Sequence, residues 1–338
     1  MNCSTALSRR NLMLALAAGS LQACAGKQAA TDKPAAPPAM PDLSSYSLNR
    51  PVGSTVADTI STHYRFEQFN LDSTDGKRHY RVQLAIPKAA PPKAGFPLLV
   101  MLDGNAALAA LTPEQMTKMA QSGRPVAIAA LGYQTELGVD VDARAFDYTP
   151  AVPGENPTWD DKARGRLGGG ADQFLDLYEQ RIRPELVRRI PVDPARSTLW
   201  GHSYGGLLAL YTLFTRPQLF PRYAAADPSL WWSDGFILDQ EQRATALPAR
   251  ATELLLMAGS AGLDVQAETR ALRPGLDPAV VLAARERRRA VPPDATEKLG
   301  QRQAKRSGMT VDWRPFPGIS HGPMRPASIP ATLQFAAR

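Results

Sequence analysis

Cysteine is almost absent. The 338-residue chain has two, Cys3 and Cys24, so neither a disulfide framework nor a cysteine-based zinc cluster is available to the body of the protein. Histidine is scarce as well, at four residues, which leaves few candidates for any histidine-dependent chemistry. Long apolar runs are missing: the early stretch from Leu12 to Ala18 falls well short of the ~20 residues that a membrane-spanning helix needs. The formal charge is +7, yet the interleaving of Lys and Arg with aromatics that marks nucleic-acid modules is not seen, so no nucleic-acid partner is expected. An anionic small ligand suits the basic balance best. With 44% hydrophobic and 21% charged residues, the chain has enough apolar material for a core, which excludes a wholly disordered or collagen-like protein.

What the chain does contain begins with an export pattern. Arg9 and Arg10 precede the short apolar run, and Leu21, Gln22, Ala23 and Cys24 follow it, the order of a signal peptide over residues 1–23. The tetrad resembles a bacterial lipobox, with cleavage before Cys24 and lipidation of that cysteine. A soluble secreted protein cut by ordinary signal peptidase is the alternative. Ser8, Arg9, Arg10 and Leu12 also resemble a twin-arginine signal, and the route stays open. Residues 24–45 are Ala, Pro and small polar residues, the composition of a flexible tether. The expected address is periplasmic, on a membrane through the lipid anchor, with the folded domain over residues 46–338.

From about residue 60, short apolar strands alternate with longer helical patterns, which predicts an α/β fold with a mainly parallel sheet and helices on both faces. Strands are expected at 79–87, 97–103, 125–131, 197–201, 222–227, 253–258 and 311–316. Helices are expected around 113–121, 171–189, 205–215 and 278–306. The Gly-, Pro- and charge-rich segment 138–170 reads as a loop flap over a site. The charge run 285–289 reads as a solvated helix face.

The sharpest local signal is Gly201-His202-Ser203-Tyr204-Gly205. Glycines on both sides let a strand turn into a helix so tightly that the serine between them is exposed in a strained conformation. The context agrees, because an apolar strand precedes it and Leu207, Leu210, Tyr211 and Phe214 follow at helical spacing. A serine hydroxyl needs a base at neutral pH. His63 and His79 lie on N-terminal strands, and His202 is the serine's own neighbour. That leaves His321, which follows the last predicted strand, in the chain order serine, acid, histidine. For the acid, Asp264 is the nominal candidate after the strand 253–258, Asp227 the second, and a Ser/His dyad without a carboxylate a third possibility. Oxyanion donors are expected at the Tyr204 backbone N–H and in the loop after 97–103, at Gly104 or Asn105.

The blocks MLDGNAAL, RAFDYTPA, LWGHSYGGLLALYTLFTRPQLF, DPSLWW and FPGISHGPM, in order from residue 101 to 324, resemble the bacterial periplasmic siderophore esterases. These are trilactone hydrolases of the esterase D-like branch of the α/β hydrolases. The resemblance implies cofactor-free and metal-free hydrolysis of ester bonds in enterobactin-like tricatecholates, free or iron-loaded. It implies Ser203 as nucleophile, His321 as base, and Arg144 and Trp232 lining the substrate site. The pattern departs at Asp227, where these esterases more often read Ser-Pro-Ser, and envelope members lack the triad carboxylate. The competing role for Arg144 is an ion pair with Asp142 or Asp147. The other functions open to such a chain are a general carboxylesterase and a non-catalytic siderophore-binding lipoprotein.

Overall fold

The computed structural model describes residues 51–244, 251–260, 286 and 291–338. Its strands are β1 (Tyr64–Asp72), β2 (His79–Pro87), β3 (Phe96–Leu102), β4 (Ala127–Tyr133), β5 (Trp159–Asp161), β6 (Arg166–Leu167), β7 (Val192–His202), β8 (Arg222–Ala226), β9 (Thr252–Gly259) and β10 (Met309–Phe316). Its α-helices are α1 (Gly104–Ala110), α2 (Pro113–Gln121), α3 (Val141–Tyr148), α4 (Ala171–Leu177), α5 (Arg183–Arg189), α6 (Tyr204–Thr215), α7 (Phe236–Arg243), α8 (Ala295–Gln303) and α9 (Met324–Ala336).

Eight strands form one sheet in the order β1-β2-β4-β3-β7-β8-β9-β10. The β1–β2 and β2–β4 pairs are antiparallel, and from β4 onward every neighbouring pair is parallel. This is the α/β-hydrolase sheet. Strand β3 shows how it is covered. Leu98, Val100 and Leu102 enter one buried cluster, while Leu99 and Met101 enter another, following the period of two along a strand. Helices α3 to α8 close the first cluster, and α1, α2 and α9 close the second.

Helix α2 starts as its sequence dictates, with a capping box between Thr112 and Gln115 and Pro113 in the first turn. The expected helix over 171–189 is α4 and α5 joined by a π-helical turn, Tyr178–Ile182. Part of the expected 278–306 helix and the charge run at 285–289 lie outside the described residues, apart from residue 286; the described helix there is α8. Segment 138–170 differs from a loop flap, because it carries α3 and the β5–β6 hairpin, and α3 packs into the core through Ala143 and Tyr148.

Because β3, β7, β8, β9 and β10 run parallel, their carboxyl ends lie along one edge of the sheet, where ligands of open α/β sheets bind. Asp103, Ser203, Asp227 and the loop holding His321 all follow from those ends.

Candidate active site

Ser203 sits between the end of β7 and the first turn of α6 with φ 62° and ψ −118°, a conformation that costs a residue bearing a Cβ. Two neighbours make the turn feasible. A Cβ on Gly201 would lie 2.2 Å from the Gly205 backbone, so strand and helix cross at a distance only glycine allows. The strand side is pinned as well: Ser203 N–H donates to the Ala226 carbonyl at 3.1 Å, and Ser229 N–H donates to the Ser203 carbonyl at 3.1 Å.

His321 reaches this serine from the loop after β10. Its Nδ1 is 2.7 Å from Asp227 Oδ2, and its Nε2 is 3.0 Å from Ser203 Oγ. A carboxylate only accepts, so Nδ1 carries the proton and donates to Asp227, which leaves Nε2 as the acceptor of the seryl proton. Asp227 follows β8 directly with φ 45°, its N–H donating to the Met257 carbonyl at 2.7 Å. The Ser203 hydroxyl has a second neighbour, Ser229 Oγ at 3.2 Å. Such a chain of groups is able to deprotonate a serine as it attacks an electrophilic carbon.

The loop after β3 is built around a buried ion pair. Asp103, 2% exposed, adopts the left-handed conformation at φ 52° and ψ 49°. Arg144, 6% exposed, donates to it twice, Nε to Oδ1 and Nη2 to Oδ2, both at 2.8 Å. The Asp103 N–H donates to the Tyr148 hydroxyl at 3.1 Å. Arg144 also lies over the Tyr204 ring, 5.1 Å from its centroid. Arg144, expected to line the substrate site, therefore faces inward, and its carboxylate partner is neither Asp142 nor Asp147. Gly104 presses against β4, where a Cβ would meet the Ala130 carbonyl carbon at 2.5 Å. The Asn105 side-chain amino group is committed to structure, with Nδ2 donating to the carbonyls of Tyr133, Thr135 and Leu137 at 2.9–3.1 Å. What these two residues, like Tyr204, offer an oxyanion is the backbone N–H of a first helical turn, which has no partner within its own helix.

Trp232 likewise differs from its expected place. It is buried, and its indole N–H donates to Asp160 Oδ1 at 3.0 Å, tying the β5–β6 hairpin to the loop after β8. The half-buried tryptophan here is Trp231, whose ring centre is 6.1 Å from that of Tyr204. Arg166 also bonds Asp160, at 2.5 Å, and burial together with Asp160 pushes the Tyr204 phenol up, so it stays neutral. Trp159 and Leu167, paired across the hairpin, are exposed.

Among the described residues, His202, Asp227 and His321 form a group close enough to share an ion. Asp227 and His321, however, are bonded to each other in the chain that ends at Ser203, and His202 Nε2 lies 2.7 Å from the His321 main-chain carbonyl.

With this geometry in view, the sequence model of the family described as "Putative esterase" matches residues 73–265, more than half of the chain. The chain belongs to this esterase family. It is 34% identical over 284 residues to the apo-salmochelin esterase of Escherichia coli O6:H1, covering 84% of this chain and 83% of the relative. It is 32% identical over 197 residues to the ferri-bacillibactin esterase BesA of Bacillus subtilis, covering 56% and 68% respectively. The solved enterobactin and salmochelin hydrolase IroE superposes with a TM-score of 0.61 at 33% identity, over 84% of this chain and 99% of that one.

In this esterase, then, the carboxylate at His321 is Asp227. Asp264 lies outside the described residues. The signal for Asp227 is its place directly after the buried strand β8, in register with the nucleophile strand, where His202 pairs with Ala226. The Asp103–Arg144 pair has no comparable signal, since 41 residues separate the partners.

Proposed function

We propose that the esterase cleaves the ester bonds of a catecholate siderophore with a trilactone scaffold, through Ser203, His321 and Asp227. The hydrogen-bond chain from Asp227 through His321 to the strained Ser203 carries this reading, and relatives named as siderophore esterases support the substrate class. Ser203 Oγ attacks the ester carbonyl carbon as its proton passes to His321 Nε2. The resulting oxyanion is held by backbone N–H groups of Tyr204 and of Gly104 or Asn105. The carbon–oxygen bond then breaks, and the proton on Nε2 goes to the departing alkoxide. Water, deprotonated by the same nitrogen, releases the acyl group and regenerates the serine. Asp227 keeps the proton on Nδ1 throughout and stabilises the imidazolium. A tricatecholate is aromatic and anionic, so Trp231 and the exposed Trp159 are the ring surfaces we assign to it, in place of Trp232.

The test is hydrolysis of a tricatecholate trilactone and of its iron(III) complex by the purified protein, with Ser203→Ala as control. Release of the linear trimer is expected. Turnover of simple aryl esters alone would make the protein a general carboxylesterase, and binding without turnover a non-catalytic carrier.

We further propose a periplasmic, membrane-anchored address through lipidated Cys24, with residues 25–45 as the tether. Cys24→Ser should move the protein from the membrane to the soluble fraction while its activity in extracts stays constant, because the tether carries no chemistry. Unchanged fractionation would remove Cys24 as the anchor.

A further inference from the structure

The catalytic reading leaves His202 without a role. It is the last residue of β7, 3% exposed, and its Nε2 lies 2.7 Å from the main-chain carbonyl of His321. A carbonyl accepts and cannot donate, so the ring carries its proton on Nε2. The Nδ1 atom is buried with no hydrogen-bond partner among the described residues. The two imidazole rings lie 4.8 Å apart. The groups facing His202 from other elements are His321, Arg325 on α9 and Arg144 on α3. Burial first, then the surrounding electrostatics, which include the guanidinium charges of Arg325 and Arg144, holds its pKa well below the usual histidine range.

The loop that presents the base needs such a hold. The His321 side chain is 45% exposed, so packing alone does not fix it. It is flanked by Gly318, with φ 74°, and by Gly322, around which a Cβ would meet nothing within 4 Å. Two consecutive residues, the last of β7 and the turn residue after it, grip it at different points. Ser203 Oγ meets the imidazole Nε2, and His202 Nε2 meets the main-chain carbonyl. The bonds to Ser203 and Asp227 aim the ring, and the bond to the main-chain carbonyl holds the backbone from which the ring projects. Since the His321 ring becomes cationic at each proton transfer, the neighbouring ring must carry no charge of its own.

We propose that His202 is a positioning residue, whose neutral Nε2–H tethers the His321 main chain to the nucleophile strand and sets the angle at which the base meets Ser203. This rests on Ser203 and His321 being nucleophile and base.

The test compares His202→Gln with His202→Met in the full chain. Gln places an amide N–H near the former Nε2, whereas Met fills the space without a donor. Turnover of an uncharged aryl ester and the rate of serine phosphorylation by diisopropyl fluorophosphate are followed beside the melting temperature. For His202→Met, kcat and the phosphorylation rate should both fall about a hundredfold, the scale of a small misplacement of a reacting group, with KM within about twofold of wild type, and His202→Gln should recover most of the loss. If the Met variant does not fold, His202→Asn, which places its amide near the Nδ1 position, should lose activity as Met would while Gln keeps it. Gln performing no better than Met or Asn, or activity falling only in step with melting temperature, overturns the tether. Ser203→Ala retaining turnover would instead refute the nucleophile, independently of His202.

Discussion

Positive φ is costly for residues other than glycine, and three of the residues that adopt it are Asp103, Ser203 and Asp227. They are the residue before Gly104, the proposed nucleophile and the carboxylate bonded to His321, so backbone strain is concentrated where the proposed chemistry needs side chains aimed. Ser203→Ala and His321→Ala should each abolish ester hydrolysis with the fold intact, and the double variant should lose little more, since both act in one proton transfer. Asp227→Asn should lower kcat by up to ~10⁴-fold, the cost of holding the base in the wrong tautomer. A loss below tenfold would return the site to a dyad. Arg144→Ala leaves the buried Asp103 carboxylate unpaired and should cost about 3–5 kcal/mol of stability in denaturant unfolding. Any accompanying loss of kcat/KM should be the same for anionic and neutral substrates at low and high salt. A loss confined to anionic esters would make Arg144 a substrate contact after all.

At the level of elements, α3 holds most of what the sequence concealed. The charge-rich segment 138–170 reads as a loop flap, yet the Arg144 and Asp147 side chains are buried. Asp147 accepts from the Tyr80 and Tyr133 hydroxyls at 2.9 Å each, with Arg78 Nε 2.9 Å away. Their partners lie on β2, on β4 and in the loop after β3, a pairing no local pattern reports. Burial outweighs these partners and raises the Asp147 carboxyl from 3.8 to about 7. The folded protein thus keeps a proton that the unfolded chain releases near pH 4. Stability should therefore fall as pH rises from about 4 to about 7 and level off above, by a few kcal/mol in total. Asp147→Asn should flatten that slope in unfolding curves measured across the range; an unchanged slope would place its source elsewhere. The elbow was legible for the opposite reason, because its glycines, strand and helix are adjacent in sequence. Strand β1 was not: as an edge strand, half-exposed along most of its length, it lacks an apolar run. Helix α9 hides behind Pro326 and Pro330, the latter inside the helix.

For the whole molecule, the period of apolar residues was enough to read a two-faced parallel sheet, because each central strand is buried on both sides. The site was legible to the extent that chain order and the scarcity of histidine limited the choices: Ser203 and His321 meet, while the carboxylate, the inward Arg144 and the hydrogen-bonded Trp232 depend on which strand ends converge. The same convergence brings Ser203, His321 and Asp227 to one edge of the sheet, with the half-buried Trp231 beside Tyr204, and an aromatic, anionic ester suits that ring and the basic balance of the chain. The measurement that bears most directly on this account is the pair of specificity constants, kcat/KM, for a tricatecholate trilactone and for a simple aryl ester, each with wild type and Ser203→Ala. The account predicts that the trilactone is preferred by orders of magnitude and that both activities vanish with the serine. An equal or reversed preference, or trilactone cleavage that survives Ser203→Ala, would contradict it.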